Sequence, residues 1–129
     1  MRKLRVLVVD DVEDCRVLNA MYLEAEGFVV DQATNGREAL MRARAFAPDV
    51  VLLDLTLPLL SGWDVTRLLK AHPATRSIQV IAVSGRTDDV SRARARDAGC
   101  AAFLAKPCTP REIVDALART VRASAAAVS

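Results

Sequence analysis

Five side chains suited to phosphoryl chemistry each follow a short apolar run. Asp10 and Asp11 come after residues 4–9, Asp54 after 50–53, Ser84 after 78–83 and Lys106 after 101–105. If the runs lie side by side in one sheet, three carboxylates converge at one edge. Two unit charges about 4 Å apart repel by roughly 4 kcal/mol at an effective dielectric near 20, so the cluster must raise a pKa or recruit a cation. Magnesium answers that demand. It is a hard cation with octahedral oxygen ligands, commonly held by one or two carboxylates together with waters and phosphate oxygens. A lysine ammonium is a compact point charge for a phosphoryl oxygen or a carboxylate, and a serine hydroxyl is a rotatable donor. A metal and an ammonium flanking one carboxylate is the arrangement that phosphoryl transfer onto it requires. Taken singly, the aspartates also read as helix caps, Ser84 as a turn residue and Lys106 as a solvated strand end. Joint placement is what carries the chemistry.

The elements that must provide this placement follow from length and periodicity. The chain has 129 residues, a formal charge of +2 and 52% hydrophobic residues, which fits one domain with a core of its own. The runs 4–9, 28–30, 50–53, 78–83 and 101–105 are too uniformly apolar for a sheet with one wet face and read as buried parallel strands. Helical periodicity fills the gaps. A first helix presents Val17, Leu18, Met21, Tyr22 and Ala25 and ends at Gly27. The second starts near Asn35-Gly36, buries Ala39, Leu40, Ala43 and Phe46, and stops before Pro48. The third starts at Ser61, with Asp64 at capping-box spacing, and buries Val65, Leu68 and Leu69. A fourth, from Thr87 to about Ala98, has Val90 as its one strong apolar residue and is expected to pack loosely. The fifth opens on Thr109-Pro110-Arg111-Glu112 and continues through Ile113, Val114, Leu117 and Val121. Five βα units with right-handed crossovers predict an α/β fold, a doubly wound five-stranded parallel sheet in the flavodoxin-like order 2-1-3-4-5, with its crevice at the carboxyl ends of strands one and three. Residues 1–123 form the domain, and the Ala/Ser-rich residues 124–129 read as a disordered or frayed tail.

Other classes recede. No run reaches the roughly 20 apolar residues of a membrane span, so a cytoplasmic protein without membrane attachment is expected. Cys15, Cys100 and Cys108 are odd in number and lack C-x-x-C spacing, which predicts reduced, partly buried thiols. A charge of +2 without a reading motif gives no direct nucleic-acid binding by this chain, and Arg92, Arg94 and Arg96 read as solvated surface. His72 reads as a surface residue, and Trp63 as packing.

Val8-Val9-Asp10-Asp11, Leu52-Leu53-Asp54 followed by Pro58 and Gly62, Val83-Ser84-Gly85 and Ala105-Lys106-Pro107 together resemble the signature of the receiver domain of two-component response regulators, over nearly the whole chain from about residue 3 to 122. The resemblance implies that Asp54 accepts a phosphoryl group from a phosphohistidine of a histidine kinase or histidine phosphotransfer protein. Asp11 and Asp54 would bind Mg2+ directly with the Thr56 carbonyl, and Asp10 through water. Lys106 would pair with Asp54 and then with the phosphoryl group. Ser84 and Phe103 take the places of the switch hydroxyl and the switch aromatic, and Thr56 and Arg86 those that tune the lifetime of the aspartyl phosphate. The change would be read by a downstream protein target on the surface of helix 4, strand 5 and helix 5. For some members a phosphorylation-dependent dimer uses the same helices, here with Arg92, Asp97, Arg111 and Arg119 as candidate pairs. Two positions depart from the pattern: Leu57 where methionine is common before Pro58, and Cys108 where an aromatic is common after Lys-Pro. Such a protein is a signalling phosphoacceptor that catalyses only its own phosphorylation and dephosphorylation.

Four rivals are weaker. A haloacid-dehalogenase-type phosphatase needs an aspartate two residues after its nucleophile, where this chain has Thr56. A flavodoxin-like electron carrier needs a Ser/Thr/Gly loop after strand one, where Asp10-Asp11-Val12-Glu13-Asp14 would repel the flavin phosphate. No G-x-x-x-x-G-K-[ST] occurs, which removes the P-loop NTPases. A pseudo-receiver, acting as an interaction module without phosphorylation, would keep the fold but has no need of a competent residue at every position. The same sequence would also serve as the receiver fragment of a hybrid histidine kinase.

Overall fold

A computed structural model describes residues 3–86 and 88–128, with side chains described as far as residue 123. Five strands alternate with five helices: β1 Arg5–Val9, α1 Glu13–Ala25, β2 Val29–Ala33, α2 Gly36–Phe46, β3 Val50–Asp54, α3 Gly62–Ala71, β4 Gln79–Ser84, α4 Asp89–Ala98, β5 Ala102–Ala105 and α5 Pro110–Val128. All pairings are parallel and the order is β2-β1-β3-β4-β5, as the alternation predicts. The register sets Val9 beside Leu53 and Asp54 beside Val83. Asp10 and Asp54 therefore end neighbouring strands.

Period-two alternation divides the core into two layers. Leu7, Val9, Val51 and Leu53 face α2 and α3, where Ala39, Val65 and Leu69 meet them. Val6, Val8, Leu52 and Ile81 face α1 and α5, where Leu23, Ile113 and Leu117 close the other side. A third, smaller cluster joins Leu55, Trp63 and Ala82 to Ala95 of α4, with Phe103 packed against it. Burying large aliphatic side chains contributes about 1.5–3 kcal/mol each, so the first two layers carry most of the stability.

Local chemistry sets the boundaries. Asn35 accepts from the Glu38 N–H and caps α2, Ser61 accepts from the Asp64 N–H and caps α3, and Asp88 accepts from the Ser91 N–H and caps α4. Thr109 and Glu112 bond reciprocally at the start of α5. The far end of the sheet is tied by Arg5, whose N–H donates to Asp49 Oδ2 at 2.9 Å, while its guanidinium donates to the Phe46 carbonyl and lies 4.1 Å from that ring.

Several expectations are corrected. Leu18 and Met21 of α1 are 64% and 62% exposed, while Ala20 and Leu23 are buried; the helix is apolar on more than one face, and the sheet takes the narrower one. Leu68 of α3 is also exposed. Val90 does not anchor α4, being 76% exposed. The start of α4 was expected at Thr87, which lies outside the described residues. β2 extends beyond its apolar run into Asp31 and Gln32, because pairing with β1 fixes an edge strand whatever its polarity. Residues 124–128 continue α5 as helical backbone, and Ser129 lies outside the described residues. Cys15 is exposed, whereas Cys100 and Cys108 are half-buried, all three as free thiols. His72 is exposed, as expected. Among the described residues no helix is long and apolar enough to cross a membrane.

Candidate functional site

The carboxyl ends of β1, β3, β4 and β5 bring together Asp10, Asp11, Asp54, Ser84 and Lys106. Asp10, Asp11 and Asp54 each present a carboxylate oxygen, and these atoms all lie within 4.8 Å of one another. Asp10 and Asp54 are 6% and 4% exposed, whereas Asp11 faces solvent. Buried carboxylates that close to one another need compensation. The structure supplies part of it.

Both oxygens of Asp54 are occupied. Oδ2 accepts from Lys106 Nζ at 2.8 Å, and Oδ1 accepts from both the backbone N–H and the hydroxyl of Thr56 at 2.9 Å. Asp10 has less help, since Oδ1 accepts one bond from the Val12 N–H at 2.9 Å. Burial pushes the Asp10 carboxyl above the ordinary aspartate value; the Val12 N–H and Lys106 oppose this, and the charges of Asp54 and Asp11 add to it. At Lys106 burial pulls the ammonium down, yet the hydrogen bond and charge of Asp54, with Asp10 adding, more than offset it. The lysine is thus held above its ordinary value and stays protonated at neutral pH.

This donor set fits magnesium. Three carboxylates with hard oxygen atoms converge, one of them on the solvent side where retained waters have room, and a half-exposed ammonium balances only part of their charge. Among the described residues, Asp10, Asp11 and Asp54 are the group whose carboxylate oxygens could together hold such an ion.

Ser84 stands one strand away, fully buried. Its carbonyl accepts from the Lys106 N–H at 2.8 Å, and its Oγ accepts from the Arg86 N–H at 3.0 Å. Arg86 meets the site through this backbone N–H. Phe103 does not join the acidic cluster. It lies on the α4 side, packed with Leu55, Trp63 and Ala95, and the Arg92 guanidinium covers its ring at 4.8 Å.

Two features escape reading by spacing. Arg16, from α1, donates to the Asp10 carbonyl and to Gln32 Oε1, both at 3.1 Å, and so fastens the acidic loop to β2; an arginine one turn into a helix gives no sign of which loop it will reach. Beside Asp54 and Lys106 lies a cavity of about 370 Å³, lined by Val8, Leu52, Val83, Ile113, Cys15 and Cys108 among others.

The chain matches the family model described as the response regulator receiver domain over residues 6–118. It is 36% identical over 110 residues to the transcriptional regulatory protein ResD of Bacillus subtilis, covering 85% of this chain and 45% of that protein. It is 36% identical over 112 residues to the polar-differentiation response regulator DivK of Brucella anthropi, covering 87% of this chain and 91% of that one. It therefore spans about half of the former relative and nearly all of the latter. Among solved structures, the chemotaxis protein CheY4 of Vibrio cholerae superposes with a TM-score of 0.88 at 24% identity, over 92% of this chain and 99% of that one. A CheY-like receiver domain protein of Methanospirillum hungatei gives 0.87 at 25% identity, over 95% and 97%.

Proposed function

The chain belongs to the response regulator receiver family, and on that premise we propose that Asp54 takes a phosphoryl group from the phosphohistidine of a histidine kinase or histidine phosphotransfer protein. The observation that carries the reading is Asp54 itself: a buried carboxylate with an ammonium at 2.8 Å on one oxygen and two other carboxylates within reach. An Asp54 oxygen attacks phosphorus, the P–N bond to the imidazole breaks, and an acyl phosphate remains on Asp54. Mg2+, when bound, neutralises charge on the transferring oxygens. Thr56 holds Oδ1 in place, and Lys106 keeps its proton throughout, moving from the carboxylate to a phosphoryl oxygen.

The acyl phosphate is then a new acceptor beside Ser84. Three added oxygens compete with the Arg86 N–H for that hydroxyl, and a shift of Ser84 opens room for Phe103 to turn. The surface of α4, β5 and α5 reads the change to a downstream protein. A phosphorylation-dependent dimer through that surface belongs to the same proposal; Arg111 is already paired with Asp115 of its own helix at 3.5 Å, so a dimer would have to exchange that contact. The chain is a signalling phosphoacceptor whose only chemistry is on itself.

Intact mass after incubation with acetyl phosphate, with and without magnesium, tests this for wild type and Asp54→Asn. A magnesium-dependent gain of one phosphoryl group, absent in the variant, is expected. No gain in folded wild type under either condition would replace the proposal with a pseudo-receiver that signals by binding alone.

A further inference from the structure

α4 is held in an unusual way. Its buried residues are Ser91, Ala95 and Ala98, and none carries a long apolar side chain. Two of its three arginines, Arg92 and Arg94, lie over aromatic rings, one on each flank. Arg92 lies 4.8 Å from the centroid of Phe103 on β5, and Arg94 lies 4.1 Å from the centroid of Trp63 on α3. Each ring is already packed in the small cluster around Ala95. A guanidinium over the face of a ring is attracted by the ring quadrupole, and the contact requires both partners to keep their orientation. The two contacts differ in what they lock. Trp63 is part of α3, which also buries Val65 and Leu69, whereas Phe103 is the aromatic that the proposed switching turns.

We propose that Arg92 is a positioning residue that latches Phe103 in the arrangement where Lys106 pairs with the unmodified Asp54 carboxylate. The inference rests on the phosphoacceptor reading above and adds a regulator to it. For Phe103 to turn, the Arg92 contact must break. Its strength therefore sets how far the equilibrium leans away from the phosphoryl-binding arrangement, and a ligand that favours that arrangement must overcome it. Arg94, on the opposite flank of the same turn, plays the opposite part, tethering α4 to Trp63 of α3 so that the helix pivots instead of detaching. The sole tryptophan of the chain, Trp63, sits at that pivot and reports on it.

Beryllofluoride with magnesium, which mimics a bound phosphoryl group, is the probe, and affinity is read from Trp63 fluorescence on wild type, Arg92→Lys and Arg92→Met. Methionine keeps the aliphatic reach without the charge. The expected result is affinity tighter than wild type by roughly two- to fivefold in Arg92→Met, the factor that matches an exposed cation–π contact, with Arg92→Lys falling between. Amide exchange in α4 is expected to speed up in the same order. Arg92→Met equal to or weaker than wild type would overturn the latch while leaving the phosphoacceptor reading intact, because wild type would still bind. Tighter binding without faster exchange in α4 would also overturn it. Failure of folded wild type to bind beryllofluoride would remove the reading, and the latch with it.

Discussion

α3 and α4 are neighbours of equal length, ten residues each, packed against the same side of the sheet. Each is capped by a side chain from the residue before it, Ser61 and Asp88. There the likeness ends. α3 buries Trp63, Val65 and Leu69 and begins at Gly62, where a Cβ would come within 2.6 Å of the Leu55 Cα, so the helix is pressed directly onto the loop that follows Asp54. α4 buries a serine and two alanines, ends at Gly99 with φ +110°, and is held at its flanks by arginines on rings. Capping decides where a helix starts; burial decides whether it can move. The two helices share one face of the sheet yet differ in how much side-chain volume ties each of them to it.

The widest gap between the two should appear on deleting core volume. Leu69→Ala in α3 is expected to destabilise the protein by about 2–5 kcal/mol in urea unfolding, the range for a buried leucine that leaves a cavity. A loss below about 1 kcal/mol would mean that α3 is no better anchored than α4. A smaller effect should come from acid. The Ser91 backbone N–H, with help from its hydroxyl, holds the Asp88 carboxyl below the ordinary aspartate value. A carboxylate depressed in the folded state stabilises above its unfolded pKa and ceases to as pH falls through the folded one. The α4 cap should therefore weaken at pH below about 3.9, whereas the Ser61 hydroxyl has no proton to gain there. Protection factors of α4 amides, measured against those of α3 at neutral and acid pH, should fall in α4 first; equal loss in both would refute the assignment to the cap. The smallest effect is expected at Val90. Because it is mostly exposed, Val90→Ala should change stability by no more than about 0.5 kcal/mol, and a larger loss would show that α4 has an anchor after all.

Much of this was legible in the sequence, and the reason differs from element to element. Asp10, Asp54 and Lys106 could be placed together because strand ends and sheet order are fixed by continuous apolar runs and crossover handedness, both strong signals. The caps at Asn35, Ser61 and Thr109 could be read because a cap is a local contract between residues three apart. The face of α1 could not. Leu18 and Met21 are as apolar as Leu23, and only the position of the sheet chooses between them. Nor could the partners of Arg92 and Arg94 be read, since a long cation on an exposed face gives no sequence-level sign of the ring it will meet. Arg16 and the Asp10 carbonyl illustrate the same limit inside the site.

Arg5 gives the far rim of the sheet a different meaning. Its N–H, carbonyl and guanidinium tie β1 to Asp49 and Phe46, and Asp49 in turn accepts from Gln79 through its own carbonyl. Three strands are thus cross-linked at the end opposite the carboxylates. The rim opposite the carboxylates is braced like the closed end of a fan: β1, β3 and β4 splay there only by breaking these bonds.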